Sequence, residues 1–124
     1  MKIMIVEDEV IIAISLKMDL ETEDLQITGI AARYEEALAL LKKEKPDLVL
    51  CDINLKSEKD GIDVATWINN YDKNIKIIFM TGYGFDVVGD RLKNVSFQQL
   101  IEKPVEASDL KPIIESNFPE PVTK

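Results

Sequence analysis

The chain has 124 residues, 46% hydrophobic and 31% charged, with a formal net charge of -8. That length fits one domain around one core, the composition excludes a disordered chain, and the acidic balance argues against a basic nucleic-acid footprint. Cys51 is the only cysteine and there is no histidine, which excludes an internal disulfide, histidine acid–base catalysis, typical zinc sites and a phosphohistidine role.

Met1-Lys2-Ile3 runs straight into a strand-like segment, predicted over 2–6, and leaves no room for a signal peptide. No apolar stretch approaches the roughly 20 residues of a membrane span, so a cytoplasmic location and no membrane contact are expected. A first helix is predicted over 9–22, with Asp8 as its N-cap and Glu9 favoured by the positive end of its dipole. Ile14, Leu16, Met18 and Leu20 also alternate as in a strand, but the run is too long for one. A second strand follows over 25–31.

The clearest helical stripe is Tyr34, Ala37, Leu38 and Leu41 in a helix over 34–44, which Pro46 ends. The third strand is predicted over 47–51, a polar loop over 52–60, and a third helix over 61–71 opened by Asp60-Gly61. In that helix Ile62, Ala65 and Ile68 mark the buried face, and Trp67 falls off it. A fourth strand is predicted over 75–80, then a pliable loop with Gly82 and Gly84, a weak helix over 85–93 interrupted by Gly89, and a fifth strand over 97–102. The last helix is predicted over 107–117, although Pro112 is tolerable only near a helix start. A domain over 1–118 with a tail over 119–124 results. Alternating strands and helices of these lengths imply an α/β fold with a doubly wound parallel sheet, covered on both faces.

Four separated points read as one site: Glu7-Asp8, Asp52, Thr81 and Lys103. Each lies at the carboxyl end of a short apolar run, where open α/β sheets bind their ligands. Clustered carboxylates repel at neutral pH and call for a cation, and hard oxygen ligands favour Mg2+. Glu7, Asp8 and Asp52 suit that role, with the backbone carbonyl of Asn54 completing the shell. Asp52 could act as the nucleophile of a phosphoryl transfer, with the Thr81 hydroxyl and the Lys103 amine on the phosphoryl oxygens.

With these residues in view, the chain resembles a receiver domain of two-component response regulators from end to end. The resemblance is carried by Met4-Ile5-Val6-Glu7-Asp8-Glu9, by Asp47 to Leu55 around Asp52, by Phe79-Met80-Thr81-Gly82 and by Glu102-Lys103-Pro104. It implies a five-stranded flavodoxin-like sheet of order 2-1-3-4-5. It further implies Asp52 as phosphoacceptor, Asp8 as a direct Mg2+ ligand, Glu7 as a ligand through water, and Asn54 contributing its carbonyl. Thr81 and Lys103 would bind the phosphoryl group, and the Lys103-Pro104 bond would be cis.

Three departures from the family pattern stand out. Leu100 occupies the position, three residues before the lysine, where receivers usually carry Tyr or Phe, which leaves Phe97 or Tyr83 as substitute aromatics. Lys56 stands where a proline is frequent, in a loop one residue longer than the common pattern. Phe79 to Gly84 partly resembles a motif of single-domain receivers, which carry an aromatic where Gly84 lies.

The leading expectation is a phosphorylation-controlled signalling receiver, not an enzyme beyond its own phosphorylation and dephosphorylation. Its partners would be a sensor histidine kinase or histidine phosphotransfer protein upstream and a protein target downstream, with no direct nucleic-acid binding. The alternative is a pseudo-receiver that binds protein without taking phosphate. A metal-dependent phosphatase or nucleotide-binding enzyme is disfavoured, since no Gly-x-Gly-x-x-Gly or Walker-type loop is present. The chain reads either as a stand-alone receiver or as the amino-terminal piece of a larger regulator or kinase.

Overall fold

The structure, a computed structural model, describes residues 1–55, 57–82 and 85–118, with the side chains of 85–88 left aside. The expectations placed on Lys56, Tyr83, Gly84 and the tail 119–124 lie outside the described residues. Ten elements alternate: β1 (Lys2–Val6), α1 (Val10–Leu20), β2 (Gln26–Ala31), α2 (Tyr34–Lys43), β3 (Leu48–Asp52), α3 (Gly61–Tyr71), β4 (Lys76–Thr81), α4 (Phe85–Leu92), β5 (Gln99–Glu102) and α5 (Ala107–Asn117). The strands form one parallel sheet in the order β2-β1-β3-β4-β5.

The central strands are apolar on both faces because both faces are covered. Ile3, Ile5, Leu48, Leu50, Ile78 and Met80 point to a core shared with α1 and α5. Met4, Val6, Val49, Cys51, Ile77 and Phe79 point to the opposite core, shared with α2 and α3. This period of two within continuous apolar runs is what a doubly covered parallel sheet requires.

The differences from the sequence expectations are local. Glu9, not Asp8, is the N-cap of α1, and its side chain makes no capping bond. The helix starts later because Glu7 and Asp8 are committed to the sheet edge, where the Glu7 carboxylate takes the Glu9 amide at 3.1 Å. Within α1 the buried stripe is Ala13, Leu16 and Leu20, whereas Ile14 and Met18 face outward; a helix apolar on nearly every side explains the strand-like alternation.

Asp52 and Thr81 close β3 and β4 rather than following them, because pairing continues through Asp52 with Met80 and Thr81 with Glu102. β5 begins at Gln99 instead of 97: the Gln98 side-chain oxygen takes the Ile77 amide at 2.6 Å, and Gln98 gives its own amide to the Ile77 carbonyl at 2.8 Å. Pro112 lies inside α5, beyond its first turn. It removes an amide that would have reached the Ser108 carbonyl, and both residues are exposed, so water can satisfy that oxygen. Trp67 is half-buried against the α2–α3 core and stacks on Tyr71 at 4.6 Å.

Candidate functional site

The parallel register brings the carboxyl ends of β1, β3, β4 and β5 to one edge. Glu7 and Asp8 follow β1 directly, and the Glu7 amide is fixed on the Ala31 carbonyl of β2 at 2.9 Å. Asp52 ends β3, and the next amide, of Ile53, bonds to the Met80 carbonyl of β4 at 3.0 Å. Lys103 follows β5 and gives its amide to the Thr81 carbonyl at 2.7 Å. Glu7, Asp52 and Thr81 are buried, and Asp8 and Lys103 are half-buried. The Lys103–Pro104 peptide bond is cis.

Lys103 stands between two buried carboxylates. Its Nζ lies 2.8 Å from Glu7 Oε1 and donates to Asp52 Oδ2 at 3.0 Å. The other Asp52 oxygen, Oδ1, accepts the Asn54 amide at 3.1 Å. Burial, then the charge of Glu7, pushes the Asp52 carboxyl up to about 7, against the opposing pull of Lys103 and the Asn54 amide. Burial acts to lower the Lys103 amine, but its two carboxylate partners outweigh it and hold the amine above its ordinary value. Among the described residues the pocket is thus an acidic cluster in which one amine is shared between two acids.

Glu7, Asp8 and Asp52 each offer an oxygen within 4.8 Å of the others. Glu7 Oε1 is buried without a hydrogen bond of acceptable geometry, although the Lys103 ammonium is close. Three converging carboxylate oxygens fit a hard divalent cation. The half-exposed Asp8 provides the opening to water that Mg2+, which keeps part of its hydration shell, requires.

Sequence reasoning assembled Glu7, Asp8, Asp52, Thr81 and Lys103, and the structure places all five at one edge. It did not foresee the part played by Gly61. A Cβ on Gly61 would lie 2.0 Å from the Asp52 carbonyl oxygen, so only glycine allows α3 to start against the end of β3. The Asp60-Gly61 pair carried that signal but was read only as a helix opener. Of the aromatics considered as stand-ins at the Leu100 position, Phe97 is packed edge-on against Phe79 at 5.1 Å, within the α2–α3 core.

The chain is similar to known proteins in sequence and in fold. The family model of the response regulator receiver domain matches residues 3–115. The sporulation initiation phosphotransferase F of Bacillus subtilis is 33% identical over 119 residues, covering 95% of this chain and 94% of the relative. The transcriptional regulatory protein PdtaR of Mycobacterium tuberculosis is 32% identical over 114 residues; these cover 92% of this chain but only 55% of that relative. A CheY-like receiver domain protein from Methanospirillum hungatei superimposes with a TM-score of 0.85 at 31% identity, covering 94% of this chain and 92% of its own.

Proposed function

The chain belongs to the receiver domain family of response regulators, the signal-accepting modules of two-component systems, and on that premise we propose that Asp52 is its phosphoacceptor. The observation that carries the proposal is Asp52 itself: a buried carboxylate at the end of β3, held by the Asn54 amide on one oxygen and by Lys103 on the other. An Asp52 oxygen attacks the phosphorus of a phosphohistidine on a sensor kinase or histidine phosphotransfer protein. The P–N bond breaks, and the imidazole leaves with the electron pair and takes up a proton.

Asp52 is oriented before the donor arrives, because both of its oxygens are already engaged and its backbone is pinned between strands. Lys103 is within reach to follow charge from the carboxylate to a phosphoryl oxygen, and the Thr81 hydroxyl provides a second donor from the adjacent strand. Glu7, Asp8, Asp52 and the Asn54 carbonyl would hold Mg2+. When bound there, the ion supplies the positive charge that in-line phosphoryl transfer needs. Among the described residues the acidic cluster shares one amine, and this imbalance supports a cation requirement.

The donor is read as a protein. The outward face of α1 exposes Val10, Ile11, Ile14 and Met18 beside the site, with Ile11 85% accessible, which supports docking of a partner with an apolar face. The phosphoryl group would then change a protein-binding surface read by a downstream target. The cytoplasmic setting belongs to this reading; among the described residues, no helix is long and apolar enough to cross a membrane.

Borohydride trapping tests the assignment. Reduction of an acyl phosphate converts the aspartate to homoserine, which peptide mass spectrometry locates. After incubation with acetyl phosphate and Mg2+, homoserine is expected at position 52. Homoserine at another aspartate would move the phosphoacceptor; none at all in a folded sample would favour a module that binds protein without taking phosphate.

A further inference from the structure

Arg91, in the last turn of α4, makes a two-pronged ion pair with Asp60, the N-cap of α3. Its Nη2 donates to Asp60 Oδ1 at 3.1 Å, its Nη1 donates to Oδ2, and Nη2 also lies 3.6 Å from Asp63 Oδ1. Asp60 does not serve Arg91 alone. Its Oδ1 accepts the Ile62 and Asp63 amides at 3.0 and 3.2 Å, and the Asp60 amide donates to Asp63 Oδ2 at 2.9 Å. The first turn of α3 is therefore fixed by the same Asp60 carboxylate that holds α4.

The next residue carries the connection to the site. Gly61 gives its amide to the Ile53 carbonyl at 2.8 Å, and its Cα lies so near the Asp52 carbonyl that no side chain fits. Backbone in such contact cannot shift on one side without shifting on the other. Of the described side chains of α4, Leu92 is buried in the core and Arg91 reaches Asp60. Leu100, half-buried against the core, has no ring to carry motion between site and surface.

We propose that Arg91 is a positioning residue that ties α4 to the phosphoacceptor, through Asp60 and Gly61. The inference rests on Asp52 accepting phosphate. A phosphoryl group adds bulk and nearly two negative charges at a buried strand end. The displacement passes from Asp52 and Ile53 to Gly61, from there to the Asp60 cap, and through the guanidinium to α4. Coupling of this kind is reciprocal, so the position of α4 also biases the readiness of Asp52.

The test is nuclear magnetic resonance of the full chain with acetyl phosphate and Mg2+, with the phosphorylated fraction measured by mass in the same tube. Wild type is compared with Arg91→Ala, Arg91→Lys and Asp60→Asn. Asn is itself a good N-cap, so Asp60→Asn deletes the charge pair while keeping the helix start. In wild type the α4 amides are expected to shift on phosphorylation, and unmoved α4 amides in phosphorylated wild type would overturn the inference. At equal phosphorylation those shifts are expected to shrink roughly twofold or more in Arg91→Ala and Asp60→Asn, with partial recovery in Arg91→Lys and no change at Thr81.

A merely structural ion pair would lower the melting temperature and leave the α4 response intact. Full α4 shifts in phosphorylated Arg91→Ala overturn the inference alone. Loss in Arg91→Ala with a normal response in Asp60→Asn overturns the route through the α3 cap. A wild type that takes no phosphate overturns both this inference and the phosphoacceptor reading beneath it.

Discussion

Gly61 and Asp52 touch backbone to backbone: a Cβ at Gly61 would stand 2.0 Å from the Asp52 carbonyl oxygen. The obstacle is main chain in the middle of the sheet, so no flexible side chain can yield. Gly61→Ala is expected to destabilise the protein by about 2–3 kcal/mol, the cost of overpacking a tight site, and to slow phosphorylation of the fraction that folds. Chemical denaturation checks the first effect and the rate of mass gain with acetyl phosphate the second. A stable Gly61→Ala protein that phosphorylates normally would show that the contact does not constrain Asp52.

Lys103 neutralises part of a buried acidic pair, at 2.8 Å from Glu7 and 3.0 Å from Asp52. Lys103→Ala leaves both carboxylates without that amine. A loss of about 2 kcal/mol is expected at neutral pH, below the usual cost of breaking a fully buried pair because Lys103 keeps some contact with water. Millimolar Mg2+ is expected to restore part of the loss, since a cation at Glu7, Asp8 and Asp52 answers the same charge. Thermal denaturation with and without Mg2+ reads both; a variant as stable as wild type in metal-free buffer would contradict the electrostatic account.

Burial and Glu7 push the Asp52 carboxyl up to about 7 from its ordinary value of 3.8. Between those pH values the folded state holds a proton that the unfolded state has released. Stability from this group therefore falls as pH rises from about 4 to about 7, and the loss is complete above 7. Asp52→Asn removes that penalty. Its melting temperature is expected to exceed that of wild type by an amount that grows from pH 5 to 7.5, reaching about 1–2 kcal/mol in stability. A constant difference across that range would mean that Asp52 titrates normally.

Metal binding separates side chain from backbone. By calorimetric titration, Asp8→Asn and Asp52→Asn are each expected to weaken Mg2+ binding by about tenfold or more, whereas Asn54→Ala binds nearly as wild type because its carbonyl is main chain. A large loss in Asn54→Ala would instead assign its side chain to the site.

The doubly wound parallel sheet and the gathering of Glu7, Asp8, Asp52, Thr81 and Lys103 were legible in the sequence because central parallel strands are continuous apolar runs, whereas the strand order followed only from the resemblance to receiver domains. The residue at the end of each run is placed by topology alone. The limits of β5 were not legible: Gln98 imitates strand pairing with its side chain, and Phe97 turns into the core. Nor was the start of α1, where Glu7 is drawn to the sheet edge and the cap falls on Glu9. The Arg91–Asp60 pair joins residues 31 positions apart, on separate helices. Neither residue lies on an apolar stripe, so no periodicity could announce the contact.

The most direct test of the account is intact-mass spectrometry after incubation with acetyl phosphate, with and without Mg2+, on wild type and Asp52→Asn. The account predicts one added phosphate on wild type, dependent on Mg2+, and none on Asp52→Asn. Phosphate gained by Asp52→Asn, or no gain by folded wild type under either condition, would contradict it.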